Sequence, residues 1–173
     1  MGTTPKSFEE YLVFGEEGEH LVASYLMSKG VTVAPLYQYQ RHNTAPFLLS
    51  IDSGISKKHI LPDLSCYKDG KAFFVEVKRK NQWWVNHLGG FNETGVDARL
   101  WEHYKDIALD TKCDVFLFFL HETAEPLGLY YGEIKRLAAF CPRLWRSKSN
   151  NLVFVREEWL TKVNDSEWKQ EYV

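Results

Sequence analysis

Two acidic residues and one lysine interrupt runs of the sequence that are otherwise apolar. Asp63 follows Pro62 after an Ile-Leu pair, and Glu76 and Lys78 lie inside the run AFFVEVKRK. Ionised groups taken out of water must be paired or coordinated, so they seldom enter an apolar strand without a reason. Carboxylate oxygens suit Mg²⁺ or Mn²⁺, and a nearby lysine can orient an attacking water and stabilise charge on a phosphate. The residue types therefore favour metal-dependent hydrolysis of a phosphodiester bond.

The Asp-Gly pair at 69–70 predicts how these groups are arranged. An Asp-Gly turn between two β-rich runs is typical of a hairpin, and its register places Asp63 opposite Glu76. Residues directly opposite each other have Cβ atoms about 5 Å apart, and Lys78 lies on the same face about 7 Å further along its strand. The backbone carbonyl of Val77 could supply a further metal ligand. We therefore expect one small site on a sheet.

A fourth acid is predicted to approach from a helix. Residues 15–29 carry apolar residues at helical spacing, and Gly30 is placed to end the helix. At about 100° per residue, Glu19 points in nearly the same direction as Leu26, on the inward side. If this helix packs across the hairpin, Glu19 reaches the metal or the attacking water.

The remaining runs predict an α/β (α+β) fold, with a mixed sheet flanked by helices. Its core order is α-β-β-β-α-β within one domain over 1–173, with the core at about 15–135 and C-terminal additions at 136–173. Asp97 is placed to cap the second helix, and the continuous apolar run at 113–120 predicts a strand covered on both faces. The predicted strands are 31–39, 60–67, 72–80, 113–120, 128–132 and 152–155, and the predicted helices are 15–29, 97–110, 133–140 and 157–163.

Composition restricts the class of protein. With 21 Lys+Arg against 23 Asp+Glu the net charge is −2, so any nucleic-acid site must be a local basic patch. With 45% hydrophobic residues the chain is too apolar for general disorder, yet it lacks the run of about 20 apolar residues that a membrane helix needs. Its three cysteines form no CxxC pair, which argues against disulfides and structural zinc. We expect a reducing, cytoplasmic compartment.

Basic and aromatic residues near the motif are candidates for nucleic-acid contact. Phosphates could contact the basic side chains, although a solvated charge run is the commoner role. The tryptophans could stack on unpaired bases, or form a dimer contact or a small core, and Tyr104 has the spacing of a core residue. The candidates are Lys57, Lys58, Arg79, Lys80, Trp83, Trp84 and Tyr104.

The pattern Pro62-Asp63, Glu76-Val77-Lys78 and a helix beginning GEEGE resembles the PD-(D/E)XK nuclease superfamily, which has the restriction-endonuclease-like fold. It is most similar to the archaeal Holliday-junction resolvases and related small nucleases, over roughly residues 15–120. The resemblance implies that Asp63 and Glu76 bind a divalent metal, that Glu19 completes the site and that Lys78 assists the attacking water. It implies DNA as the partner and permits a homodimer.

The sequence departs from these relatives in two places. Leu100 lies four residues before Tyr104, where some relatives have glutamine, and 81–96 is a long aromatic-rich insertion. We expect a Mg²⁺- or Mn²⁺-dependent DNA endonuclease, and the residues alone do not separate DNA from RNA. The alternative is a non-catalytic nucleic-acid-binding or protein-interaction module on the same fold, which the acidic net charge and Leu100 favour.

Overall fold

The computed structural model describes residues 8–36, 47–52, 55–86, 88–123, 125–146 and 151–168, without the side chains of 8–14 and 47–56. The helices are α1 (Phe8–Ser28), α2 (Ala98–Thr111), α3 (Ile134–Ala139) and α4 (Asp165–Trp168). The first six strands are β1 (Thr32–Pro35), β2 (Phe47–Asp52), β3 (Ile55–Ile60), β4 (Leu64–Lys68), β5 (Lys71–Lys80) and β6 (Trp84–Val85). The other six are β7 (Asn92–Asp97), β8 (Asp114–His121), β9 (Gly128–Glu133), β10 (Arg143–Arg146), β11 (Asn151–Arg156) and β12 (Thr161–Lys162).

The central sheet has six strands in the order β1-β4-β5-β8-β9-β12. Strands β5 and β8 are parallel and the other neighbours are antiparallel. A parallel pair requires a long crossover, which contains α2 here. The predicted mixed sheet flanked by helices is therefore confirmed.

Each face of the central sheet packs against its own core, because alternate residues of a strand point to opposite sides. On β8, Leu117 and Phe119 face the α2 side, whereas Phe118 and Leu120 face the α1 side. This strand is covered on both faces, as its continuous apolar run predicts. The α2-side core also contains Trp83, Trp101, Tyr104, Ile107, Tyr130 and Val155. The α1-side core also contains Leu21, Val22, Leu26, Leu64, Val75 and Val77.

A helix cap and a hairpin turn, both visible in the sequence, determine where several of these elements begin and how they pair. Asp97 caps α2, its side chain accepting hydrogen bonds from the backbone N–H groups of Arg99 and Leu100 at 2.8 and 3.3 Å. In the predicted hairpin turn, Asp69 and Gly70 have φ of 51° and 79°. Positive φ at both central positions defines the type of turn that matches strand twist. The register that this turn predicts is observed for the five pairs of β4 with β5.

Four predicted elements differ in the structure. The strand predicted at 60–67 is divided: Ile60 ends β3, residues 61–63 are not in a strand and β4 begins at Leu64, so the predicted pair of Asp63 with Glu76 lies outside the ladder. The helix predicted at 15–29 begins earlier, since α1 starts at Phe8. The strand predicted at 31–39 is described only as Thr32–Pro35, an edge strand on which a proline costs no ladder hydrogen bond. The helix predicted at 157–163 is wrong: a 3₁₀ turn at Glu157–Trp159 is followed by β12, which pairs with β9.

Two groups of strands interrupt the predicted order. Strands β2 and β3 form a separate hairpin, and a second sheet has the order β10-β11-β7-β6. The second sheet joins the insertion at 81–96 to the C-terminal additions, of which β12 belongs to the central sheet. The limits of a single domain over 1–173 stay a prediction.

The sequence predicts neither a membrane-spanning helix nor a disulfide bond. Among the helices of the described ranges, none is long and apolar enough to cross a membrane. Cys66 is buried, Cys141 is exposed, and both are free thiols, as is Cys113. Burial raises the pKa of the Cys66 thiol to about 12, so this group is unreactive in the folded chain.

A pair of substitutions on α2 tests the packing of this helix. Ile107 is fully buried against the central sheet, whereas Leu109 is 56% exposed. We expect Ile107→Ala to lower the free energy of unfolding by about 2–5 kcal/mol, because it leaves a cavity. The control Leu109→Ala should change it by less than about 0.5 kcal/mol. Urea denaturation measures both, and similar losses in the two variants would contradict this packing.

Candidate active site

The candidate site lies where β5 continues beyond the end of β4. The ladder between the two strands stops at Leu64 and Val75, whereas β5 stays paired with β8 as far as Lys80. From Glu76 onwards β5 therefore has an edge that β4 does not cover. An uncovered edge leaves backbone groups that need other partners.

Asp63 supplies one of these partners from the residue just before β4. Its Oδ2 accepts a hydrogen bond from the backbone N–H of Val77 at 2.7 Å, and its own carbonyl accepts one from Leu36 at 2.8 Å. The N–H and C=O of a strand residue point to the same edge, so the carbonyl of Val77 faces the side on which Asp63 lies. The carboxylate of Asp63 and the carbonyl of Val77 thus converge at this edge.

Glu76 and Lys78 lie on one face of β5. Glu76 is 2% exposed, and its Oε1 accepts a hydrogen bond from Nζ of Lys78. The Lys78 side chain keeps 27% of its surface in solvent. Burial alone would lower the pKa of Lys78, but the carboxylates of Glu76, Asp63 and Glu19 raise it above its usual value. Lys78 therefore carries a positive charge within the site.

Glu19 approaches from α1. Burial raises the pKa of its carboxyl group, the neighbouring Glu76 raises it further, and Lys78 opposes the rise. Glu19 is therefore close enough to Glu76 and Lys78 to interact with them electrostatically, and its part in the site stays a prediction.

The four side chains carry more negative than positive charge. Burial raises the pKa of Asp63 well above its usual value, with further contributions from Glu76 and Glu19 that Lys78 only partly offsets. Like charges brought together in a partly buried site disfavour ionisation unless a cation compensates them. The structure thus brings together Glu19, Asp63, Glu76, Val77 and Lys78. No group of three or more His, Cys, Asp or Glu side chains within the described part of the chain is placed to hold a metal ion.

Arg79 holds α1 against β5, the strand that carries Glu76 and Lys78. Its guanidinium donates to Glu17 on α1 and to Glu122 after β8. A Cβ on Gly18 would lie 3.2 Å from Cβ of Arg79, so the glycine allows the helix to approach β5 closely. This arginine is thus engaged by two carboxylates and positions the helix that carries Glu19, and its predicted phosphate contact stays a prediction.

Two further predicted contacts, Trp83 and Tyr104, are buried, and Lys80 is partly buried. Trp83 is 8% exposed, with its ring stacked on His121 at 3.7 Å between centroids. Tyr104 is 1% exposed in the α2-side core. Lys80 donates to the carbonyl of Gly95 at 2.6 Å, and burial lowers its pKa to about 8. The predicted nucleic-acid contacts of Trp83 and Tyr104 are thus corrected, since both rings are buried. The contact of Lys80 stays a prediction.

The other predicted contacts have surface available. Trp84 is 49% exposed on β6. Lys58 is exposed and Lys57 is partly exposed on β3. Their roles in binding stay predictions. Arg143 and Trp145 on β10 were not candidates for stacking, although the basic run that contains them is visible in the sequence.

Comparisons with known proteins give a fold and no family. No protein-family model matches the sequence, and no curated protein matches it. The chain is similar in structure to Hjc, a Holliday junction resolvase from the archaeal hyperthermophile Archaeoglobus fulgidus, with a TM-score of 0.52 and 10% identity over 88% of this chain and 99% of that one. It is also similar to D212, a nuclease from a fusselovirus, with a TM-score of 0.47 and 12% identity over 96% of this chain and 92% of that one. The similarity to Hjc confirms the predicted fold.

The buried His121 predicts a loss of stability in acid. Neither of its ring nitrogens has a hydrogen-bond partner among the described residues, and burial, followed by the charge of Lys80, lowers its pKa from 6.5 to about 3. A lowered histidine pKa contributes stability that is complete above pH 6.5 and is lost as the pH falls towards 3. Below that upper value we expect the unfolding free energy to fall by up to about 1.4 kcal/mol per pH unit.

His121→Phe keeps a ring against Trp83 and removes the titrating group. Urea denaturation on both sides of pH 6.5 should show a flatter pH dependence for this variant than for the wild type. Parallel curves for the two proteins would contradict the assignment.

The arginine contact predicts a specific loss of stability. Arg79→Met leaves Glu122, whose side chain is 22% exposed, without this guanidinium, and we expect the unfolding free energy to fall by about 1–3 kcal/mol. Lys105→Met removes a more exposed ion pair with Glu102 on α2 and should cost less than about 0.5 kcal/mol. Equal losses in thermal or urea denaturation would show that Arg79 does not fasten α1.

Proposed function

We propose that this protein is a Mg²⁺- or Mn²⁺-dependent DNA endonuclease. The observation that carries the proposal is the convergence of Glu19, Asp63, Glu76 and Lys78 at the edge of β5 that β4 leaves uncovered. Buried acids that repel one another are costly to a fold, so their presence calls for a cation or a chemical role.

The donor set fits a small hard cation. Mg²⁺ is usually bound by one or two carboxylates together with substrate phosphate and water, so a three-residue protein cluster is not required. Asp63 and Glu76 would be its carboxylate ligands, the carbonyl of Val77 a third ligand, and Glu19 a nearby acid that supports the site. When bound, the ion would neutralise phosphate charge and favour ionisation of water.

Lys78 supplies the positive charge that the protein itself contributes. Its ammonium group is held by Glu76 and is partly open to solvent. A charge held in this way needs little reorganisation when negative charge builds up on a phosphate. The same group can donate a hydrogen bond to the attacking water and orient it.

The substrate class is also part of the proposal. The structurally similar protein from Archaeoglobus fulgidus is a Holliday junction resolvase, so branched DNA is the first substrate to test. Lys57 and Lys58 on β3 are candidate phosphate contacts. A homodimer would supply the two sites that cleavage of both strands requires.

Substitution of the site residues should abolish cleavage without unfolding the chain. With Mg²⁺ and a labelled branched or plasmid DNA, we expect Asp63→Asn, Glu76→Gln and Lys78→Met each to lower the cleavage rate by at least about 100-fold, because each removes a ligand or the fixed charge. Lys105→Met, a substitution on α2, is the matched control and should retain full activity. Cleavage by Asp63→Asn at the wild-type rate would refute the assignment.

Calorimetry separates the enzyme from a non-catalytic module on the same fold. We expect wild-type protein to give a binding heat with Mg²⁺ or Mn²⁺ that Asp63→Asn abolishes. A wild type that is silent towards both ions, yet is folded and binds DNA, would favour the module.

A further inference from the structure

The second sheet has one face in the core and one face open. Residues of β7 and β11 alternate, so that Val96, Val153 and Val155 join the α2-side core. The opposite side carries two partly exposed indole rings, Trp84 at 49% and Trp145 at 40%. Two large aromatic side chains left in solvent on one surface are unfavourable for a free protein and mark an interaction site.

We call this surface the tryptophan face and define it by Trp84, Arg143, Trp145 and Phe154. Both indole rings contact the buried ring of Phe154 edge-on, at 5.9 and 6.5 Å between centroids. The guanidinium of Arg143 lies 4.4 Å from the centre of the same ring. The rings are therefore held in place by packing before any ligand arrives.

An ion pair between a half-exposed arginine and a buried acid holds the tryptophan face in place. Arg143 donates to Glu93, which is 2% exposed, whereas the arginine side chain keeps 44% of its surface in solvent. One surface of the planar guanidinium thus covers Phe154, and part of the group stays open to a ligand. Guanidinium planes stack on bases and bind phosphates, which an ammonium group does less well.

The charge of this segment complements phosphate. Residues 143–156 contain three arginines and one lysine and no acidic residue, in a chain whose net charge is −2. Arg143 points to the same side of β10 as Trp145, whereas Arg146 is exposed on the other side. Arg156, which is paired with Glu158, lies 3.8 Å over the ring of Phe91. This is a local concentration of positive charge interleaved with aromatic rings, which is the composition of surfaces that bind single-stranded nucleic acid.

A hydrogen bond connects the sheet that carries the tryptophan face to β5. Lys80, two residues after Lys78, donates to the carbonyl of Gly95 in the middle of β7. A Cβ on Gly95 would lie 3.4 Å from the Phe154 ring, so this glycine sits directly beneath the face. A strand of nucleic acid lying on the face would therefore be held by the same framework that positions Lys78.

We propose that the tryptophan face binds unpaired DNA, with bases stacked on Trp84 and Trp145 and a phosphate contacted by Arg143. This inference deepens the proposed function, on which it rests for the nature of the ligand: the substrate is DNA with an unpaired segment beside the cleaved bond. Stacking is tolerant of sequence because every base has a π-face, so this surface selects DNA structure and not base order.

Binding is measured without cleavage, in EDTA, by the fluorescence anisotropy of labelled oligo(dT) and of a blunt duplex of the same length. We expect Trp84→Ala and Trp145→Ala each to weaken oligo(dT) binding by at least about fivefold and to leave duplex binding unchanged. Trp84→Phe and Trp145→Phe should recover most of the affinity, since a phenyl ring still stacks. Tyr67→Ala is the matched control, because this tyrosine is 53% exposed on β4, close to the Asp69-Gly70 turn.

Salt dependence tests the phosphate contact separately. Arg143→Gln should reduce the slope of log affinity against log salt by about 0.7, the value of one phosphate contact on a single strand. Arg146→Gln, on the other side of β10, is the matched control and should leave the slope unchanged. Unchanged oligo(dT) affinity in both alanine variants, or preference of the wild type for the blunt duplex, would overturn the inference. Tighter binding of oligo(U) than of oligo(dT) would overturn the assignment to DNA. Loss of self-association in the alanine variants, without any effect on DNA binding, would identify a protein interface instead.

The two proposals fail in different ways. If Asp63→Asn abolishes cleavage but the tryptophan variants bind and cut as the wild type does, the proposed function stands and the tryptophan face is wrong. If no DNA is cut and yet the alanine variants lose oligo(dT) binding, the tryptophan face stands without the enzyme.

Discussion

The candidate site depends on one hydrogen bond, from the backbone N–H of Val77 to the carboxylate of Asp63. A strand normally satisfies such a group, but β4 begins at Leu64, and no other described strand pairs with this stretch of β5 on that side. The side chain replaces the missing strand and is thereby drawn towards Glu76. The same gap lets α1 bring Glu19 close, so the end of one short strand creates both the space and the charge of the site.

Some charged residues of this protein form pairs that hold elements of the fold together, whereas the acids of the candidate site are only partly paired. Arg79 joins Glu17 and Glu122 and fastens α1, and Arg143 joins Glu93 and fastens the second sheet. Without these arginines, the acids would be unpaired charges in partly buried positions, which is unfavourable. The acids near Lys78 outnumber their single cation, and burial, followed by the charge of Glu76, raises the pKa of Asp63. An imbalance of this kind, kept beside paired networks, is what distinguishes the candidate site from an ordinary ion pair.

The residues that sequence reasoning placed correctly are those governed by local rules. The Asp69-Gly70 turn determines the register of β4 with β5, and helical spacing determines the side of α1 on which Glu19 lies. The second sheet could not be predicted in this way, because β7 contains Asn92 and Gly95, which disfavour strands, and is formed by pairing with the distant β11. The two adjacent tryptophans also depend on this long-range pairing. Trp83 is buried in the core and Trp84 is exposed, and the local sequence does not indicate which of the two is buried.

The crossover between the parallel strands β5 and β8 has a consequence for the order of folding. The β4–β5 hairpin closes over a two-residue turn, so Asp63 and Glu76 can meet within microseconds, on the order of 1–10 μs for a hairpin. Strand β8 can join β5 only after the whole chain between them, including α2, has closed a long loop. The acids are thus brought together early, whereas the neighbours that make their surroundings dry arrive late. During synthesis the carboxylates of Asp63 and Glu76 would be close together while still in water and would be desolvated last.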